Sequence, residues 1–298
     1  MRLSRLTGPE LAIAVSGALW GIYWIPVRYL EARGFGVVWL TLAVFVVGLV
    51  LLAPLLVRWP GGRAAFSPRM LVTGLLTGGA FILYSISIAL TEVVSAILLF
   101  YLSPVWATVL GRLLLRERLT GARLTALALG IGGLWVVLGG ESGVPLPRNA
   151  GDWFALTAGV AWAFGTIRVH QDVAVAPLAH VTALFVGGTV ATLVVASLPF
   201  VSAGPPPAVT AESVVIVVVV AALSVASALG ILWAVRLVSP GRAGLLMMME
   251  VVTGLATAAA FAGEPFGAAQ IVGSMLIVGA ALVEVLPATG RLPARPDG

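Results

Sequence analysis

Residues 36–57 run for 22 consecutive positions without a charged side chain, and the rest of the chain is made of stretches much like it. A hydrocarbon layer about 30 Å thick is crossed by about 20 residues rising ~1.5 Å each. Inside that layer every main-chain N–H and C=O must find its partner within the protein, so an open chain crosses as helix. Apolar spans are read at 9–30, 36–57, 69–90, 93–115, 121–140, 150–169, 177–200, 212–235, 240–262 and 268–287. Short connections separate them, broken by Gly61-Gly62 and Pro68, by Gly139 to Pro147, and by the Gly-Pro-Pro-Pro run at 204–207. Only 10% of the 298 residues are charged, against about 25% in soluble domains. The sequence therefore predicts an all-α integral membrane protein with ten transmembrane helices and no soluble domain.

The charges that remain are one-sided. All 17 basic residues are Arg, and the side of the bilayer richer in Lys and Arg is cytoplasmic. With the N-terminus inside, Arg2, Arg5, Arg58, Arg63, Arg69, Arg112, Arg116, Arg118, Arg123, Arg168, Arg236, Arg242, Arg291 and Arg295 fall at inner ends. Only Arg28, Arg33 and Arg148 fall outside. Both termini are expected in the cytoplasm. Arg2 and Arg5 before an apolar run resemble a signal peptide, but the run continues through Pro26 to about Leu30 without a small-x-small cleavage site, so a retained first helix is expected.

The chain also repeats itself. A shift of 147 places Ala96 on Ala243, Leu98-Leu99 on Leu245-Leu246, Tyr101 on Met248 and Glu117 on Glu264, and a shift of 142 places Gly17 and Trp20 on Gly159 and Trp162. Repeats at this scale set the architecture. Each half, 1–147 and 148–298, holds five spans. An odd number reverses orientation, so the halves are expected as inverted repeats, with a substrate site between them near the membrane midplane.

Polar or aromatic groups deep in a span are the candidates for function. Trp20 and Trp162 lie at mirrored mid-depth, whereas Trp normally sits at membrane interfaces; they suggest the walls of a central cavity, with plain core packing as the rival. Tyr101, mid-span, needs a polar partner or a wet cavity. Pro104, three residues on, frees the carbonyl of Phe100. Met248 and its neighbours Met247 and Met249 give span nine an adaptable apolar face. Tyr84 reads as cavity wall or as interface tyrosine. Glu250, about ten residues into span nine, is an intramembrane acid and so a functional candidate: it could hold a substrate ammonium, carry a proton, pair with Arg242, or pack as a neutral helix acid. Small-xxx-small pairs such as Gly74/Gly78 allow close helix contact, and Arg116-Glu117-Arg118 reads as a charged cap on span four. No Cys and two histidines, His170 and His180, leave little for a metal, and no HExxH, GxSxG or P-loop is present. Neither cofactor nor metal is expected, and the basic balance belongs to topology rather than to nucleic acid.

At these paired stretches the chain resembles the drug/metabolite transporter superfamily, and within it the EamA-type ten-helix transporters. The residues that carry the resemblance are Trp20-Gly21, Ser103-Pro104-Val105, Arg116-Glu117-Arg118-Leu119 and Gly130 in the first half, and Trp162, Glu250-Val251, Gly263-Glu264-Pro265 and Gly273 in the second. Val251 stands where that family commonly has proline, so no kink is expected in span nine. The nearer resemblance is to aromatic amino acid exporters of the bacterial inner membrane, through Trp20, Phe100-Tyr101-Leu102-Ser103-Pro104, the 135–141 stretch WVVLGGE and Trp162. It implies a central pathway among spans one to four and six to nine, with Trp20, Tyr84, Tyr101 and Trp162 on its walls. The expected function is a secondary transporter, not an enzyme, exporting neutral or aromatic amino acids or similar small metabolites by alternating access. Its partners are a small-molecule substrate and the lipid bilayer, and a monomer is compatible with the pattern. A cationic drug or metabolite efflux transporter is the first alternative, and a channel or scramblase the second.

Overall fold

A computed structural model describes residues 7–59, 66–91, 93–137, 146–199, 201, 203–261 and 267–285. Among these residues thirteen helices build ten rods. The first rod is α1 (Gly8–Ile22) and α2 (Trp24–Glu31), followed by α3 (Val37–Arg58) and α4 (Pro68–Leu90). The fourth is α5 (Val93–Phe100) and α6 (Ser103–Leu114), and α7 (Gly121–Val137) closes the first half. The second half has α8 (Ala150–Gln171), α9 (Pro177–Ala196), α10 (Ala211–Ala234), the broken rod α11 (Pro240–Met247) and α12 (Met249–Phe261), and α13 (Ala268–Val285). Each predicted span is found. Seven rods are long and apolar enough to cross a membrane, while α7 and α13 are apolar but shorter. Helix α8 carries Asp152, Arg168 and His170 and buries half its residues against protein, so it needs less hydropathy than its neighbours. The Gly61-Gly62 break, Arg2, Arg5, Arg63, Arg291, Arg295, the end of the 135–141 motif and Gly263-Glu264-Pro265 lie outside the described residues.

Three rods are broken, and two of the breaks are repeat mates. Pro104 has no N–H for the Phe100 carbonyl, and Val105 N–H turns instead to Leu102 O at 2.9 Å. The matching break in span nine falls at Met248, the position paired with Tyr101. Met248 N–H donates to Leu245 O at 3.2 Å and Val251 N–H to Met248 O at 3.0 Å. The expectation of no kink there is therefore corrected: two successive i→i−3 bonds interrupt the helix without proline. The first rod breaks at Tyr23, where Pro26 removes the partner of the Ile22 carbonyl, while its mate α8 is continuous. Leu102, Met248 and Tyr23 all keep right-handed helical dihedrals, so the breaks tighten the chain rather than unwind it.

Packing pairs each contact with its mirror image. Helix α1 packs on α10, α11 and α12 of the second half, and α8 packs on α4, α5 and α6 of the first. Helix α4 lies against α9 as α10 lies against α3, while α3–α9, α6–α11 and α7–α13 are pairs of mates. At the α3–α9 crossing a Cβ on Gly48 would stand 2.1 Å from the Phe185 ring and one on Gly188 2.4 Å from the Phe45 ring. At α7–α13, Gly133 faces the Gly273 carbonyl and Gly273 the Gly133 carbonyl. Such reciprocity is what a two-fold relation produces. The predicted two inverted five-helix repeats are thus the architecture found, with the halves interlocked.

The tightest seam is α4 on α9. A Cβ at Gly74 would fall 1.9 Å from the Ala183 carbonyl oxygen, whereas Gly132 faces open space. Gly74→Ala is expected to lower stability by about 1–3 kcal/mol. Gly132→Ala should be neutral or slightly stabilising. Thermal unfolding in detergent micelles checks the pair, and equal effects would contradict the close seam.

Candidate functional site

Aromatic rings fill the centre of the bundle. Trp20 on α1 stacks on Phe81 of α4, with centroids 4.7 Å apart, and Phe81 meets Trp162 of α8 edge-on at 5.8 Å. Phe81 also reaches Phe45 of α3, which meets Phe185 of α9 edge-on at 5.6 Å. One turn along α4, Tyr84 stacks on Phe100 at 4.4 Å, and Phe100 meets Tyr101 edge-on at 5.4 Å. Tyr84 and Tyr101 interact electrostatically with the Glu250 carboxyl, and Tyr101 Oη is buried without a hydrogen-bond partner. The main chain of Glu250 lies against Gly21, next to Trp20.

Between α1, α3, α4, α9 and α10 this packing leaves a cavity of about 50 Å³, room for a few waters. Trp20, Tyr23, Phe45, Phe81 and Phe185 supply its rings, and Thr41, Ser85 and Ser224 supply hydroxyls. No charged side chain lines it. The indole N–H of Trp20 is buried without a hydrogen-bond partner, which costs about 1–3 kcal/mol unless a guest accepts the bond.

The six residues singled out from the sequence divide into groups. Trp20 lines the cavity, and Trp162 stands behind Phe81. Tyr84, Tyr101 and Glu250 form the polar cluster. Met248 is fully buried and turns toward spans five and ten, its sulfur 3.0 Å from where a Cβ on Gly130 would stand. Sequence reading passed over Phe81, Phe45 and Phe185. For the last two a signal existed: Phe45-Val46-Val47-Gly48 and Phe185-Val186-Gly187-Gly188 are alike at a shift of 140.

The charges next to the site are engaged with one another. Arg242 Nη2 lies 2.5 Å from Glu10 Oε1, so Arg242 pairs with Glu10 and not with Glu250. The other Glu10 oxygen accepts the Thr7 N–H at 2.8 Å and caps α1. Glu250 makes no ion pair among the described residues. The Arg116-Glu117-Arg118 cap proves to be part of a larger lock. Arg123 donates to Glu117 at 2.7 Å, to Glu284 of α13 at 3.0 Å and to Ser239, the N-cap of α11, at 2.7 Å. Arg168 donates to Thr73 Oγ1 and the Arg69 carbonyl. Among the described residues no group of acids and histidines could hold a metal ion.

A family model described as "EamA-like transporter family" matches residues 8–139 and again 149–286. Among solved structures, one titled only "Crystal structure of protein" superposes with a TM-score of 0.72 over 91% of this chain and 94% of its own, at 20% identity, which speaks to the fold. No curated protein matches the sequence significantly.

Removing one partner of a largely buried ion pair leaves the other charge stranded. Glu10→Ala is expected to cost about 2–3 kcal/mol, less than a fully dry pair because Arg242 keeps some solvent contact. The double variant Glu10→Ala/Arg242→Met should recover most of that loss. Unfolding midpoints of the four proteins of this cycle check the coupling, and additive losses would refute it.

Proposed function

Since the chain belongs to the EamA-like transporter family and is a multi-pass membrane transporter of small molecules, we propose that it exports amino-acid-sized metabolites by alternating access. Neutral and aromatic amino acids and related amines are the cargo. The observation that carries this reading is the uncharged ring of aromatics around the central cavity, with the main chain of the acid Glu250 against Gly21, next to Trp20. Trp20, Phe81 and Trp162 receive an apolar or aromatic side group. Tyr84, Tyr101 and Glu250 receive the amine, and Met248 backs that wall. Sugar phosphates are a poor fit, because they would need several buried cations and the nearest, Arg242, already holds Glu10.

The cavity admits only water as it stands, so cargo enters when rods separate on one side and leaves when they separate on the other. Mirrored breaks at Tyr101 and Met248 suit that exchange, since each half holds a bend at the same depth. The 1–147 and 148–298 halves are the moving units. The arginine bias supports both termini in the cytoplasm, and a bacterial inner membrane is the location in this reading.

Two measurements test the reading. In proteoliposomes, labelled phenylalanine, leucine and related amines should move with saturation and mutual competition, and Glu250→Gln should reduce flux tenfold or more. Flux without saturation would mark a channel or scramblase instead. For sidedness, the chain has no Cys, so Arg118→Cys should react with an impermeant thiol reagent only from the cytoplasm and Leu146→Cys only from outside. The reverse pattern would invert the topology.

A further inference from the structure

A free amino acid brings two charges into a site, and both need partners. A carboxylate moved out of water without a cation or several N–H donors is strongly disfavoured, and more so beside another carboxylate. Glu250 supplies a partner for the ammonium. The question is what answers the carboxylate.

Each candidate near the site is already engaged. Arg242 holds Glu10, Arg123 holds Glu117 and Glu284, and Arg168 holds Thr73 and a carbonyl. In broken transporter helices a carboxylate commonly rests on the N-terminus of the second segment. Of the three such ends, that of α2 has Pro26, which lacks an N–H, at its third position, and the other two are also unsuited. Helix α12 carries Glu250 in its own first turn, where the positive end of the helix already faces an acid. Helix α6 has Pro104, which lacks an N–H, at its second position, and the next two amides, of Val105 and Trp106, both donate to Leu102 O, at 2.9 and 3.1 Å. Two of the cavity hydroxyls are already committed: Ser85 donates to Phe81 O at 2.8 Å and Ser224 to Val220 O at 2.8 Å. Trp20 Nε1–H is buried there without a partner, and the hydroxyls of Tyr23 and Thr41 also line the cavity, so a guest meets a few neutral donors and no cation.

From this arrangement we propose that the site selects by charge: it binds an aromatic or apolar amine whose carboxylate is absent or masked, and discriminates against the free amino acid of the same skeleton. This rests on the reading of the central cavity as the transport site. The ring enters the box of Trp20, Tyr23, Phe45, Phe81 and Phe185, and the ammonium is held by Glu250, in the neighbourhood of Tyr84 and Tyr101. A neutral acceptor, such as an ester or amide carbonyl, takes the Trp20 N–H.

The test uses the purified full-length protein in detergent and the same protein in liposomes. Three probes share one skeleton: 2-phenylethylamine, phenylalanine and 3-phenylpropionate. Titration calorimetry is expected to give 2-phenylethylamine at least tenfold tighter than phenylalanine, with 3-phenylpropionate unbound. In liposomes the amine should inhibit phenylalanine flux at correspondingly lower concentration. Phenylalanine methyl ester should bind like the amine. Glu250→Gln should remove the advantage of the amine, and because the main comparison uses the unaltered protein, it stands even where that variant misfolds. Phenylalanine binding as tightly as the amine, with saturable flux intact, overturns the charge preference alone and leaves the transport reading standing. Absence of saturable binding and flux for every probe overturns both.

Discussion

Two phenylalanines seated on two glycines set the geometry of this membrane protein. Phe45 occupies the space over Gly188, Phe185 the space over Gly48, and the rings touch each other edge-on. Lipid tails are as apolar as any side chain, so helices in a bilayer gain little from hiding hydrophobic surface and associate through close contact instead. A glycine lets that contact form. The same device recurs at Gly133 with Gly273 and at Gly74 with Ala183, and from the axis at Phe45–Phe185 follow the mirrored helix pairs, the mirrored bends and the cavity on their flank.

The aromatic centre is asymmetric within this frame. Span one is bent at Tyr23 while its mate α8 runs straight, and the seam of α4 with α9 is tighter than the mirrored seam of α10 with α3. The looser side holds the cavity. Tyr101 and Met248 share a position in the repeat, yet the acid that faces Tyr101 sits two residues past Met248. An inverted frame thus gives two exits of similar construction, while the side chains inside give one binding environment.

Much of this was legible in the sequence. The ten rods were found where apolar length placed them, because helix is the available solution in hydrocarbon. Pro104 announced one bend, but the matching bend at Met248 was not expected: it is made by two i→i−3 bonds and has no residue signature. Ion pairs were harder. Arg242 is eight residues from Glu250 but bonds Glu10 at the far end of the chain, and Arg123 finds Glu284 161 positions away. Sequence distance carries no information about such partners when helices fold back across the membrane. The phenylalanine–glycine seats were missed for another reason: an apolar residue in an apolar span looks the same facing lipid, a cavity or a partner helix.

Helix α1 has most of its neighbours outside its own half. Apart from α2 and the stacking of Trp20 on Phe81 of α4, it rests on α10, α11 and α12. Glu10 holds Arg242, Ser227 donates to the Ser16 carbonyl, Thr253 to the Ala18 carbonyl, and Trp24 to Thr257. During synthesis the first helix to enter the bilayer is therefore among the last to find its place. From its insertion until residues 211–261 have followed, Glu10 waits without its arginine. The order in which the ribosome delivers the helices differs from the order in which they settle, and a chain stopped after its fifth span would hold its first helix with little more than Phe81 of the partners it finally keeps.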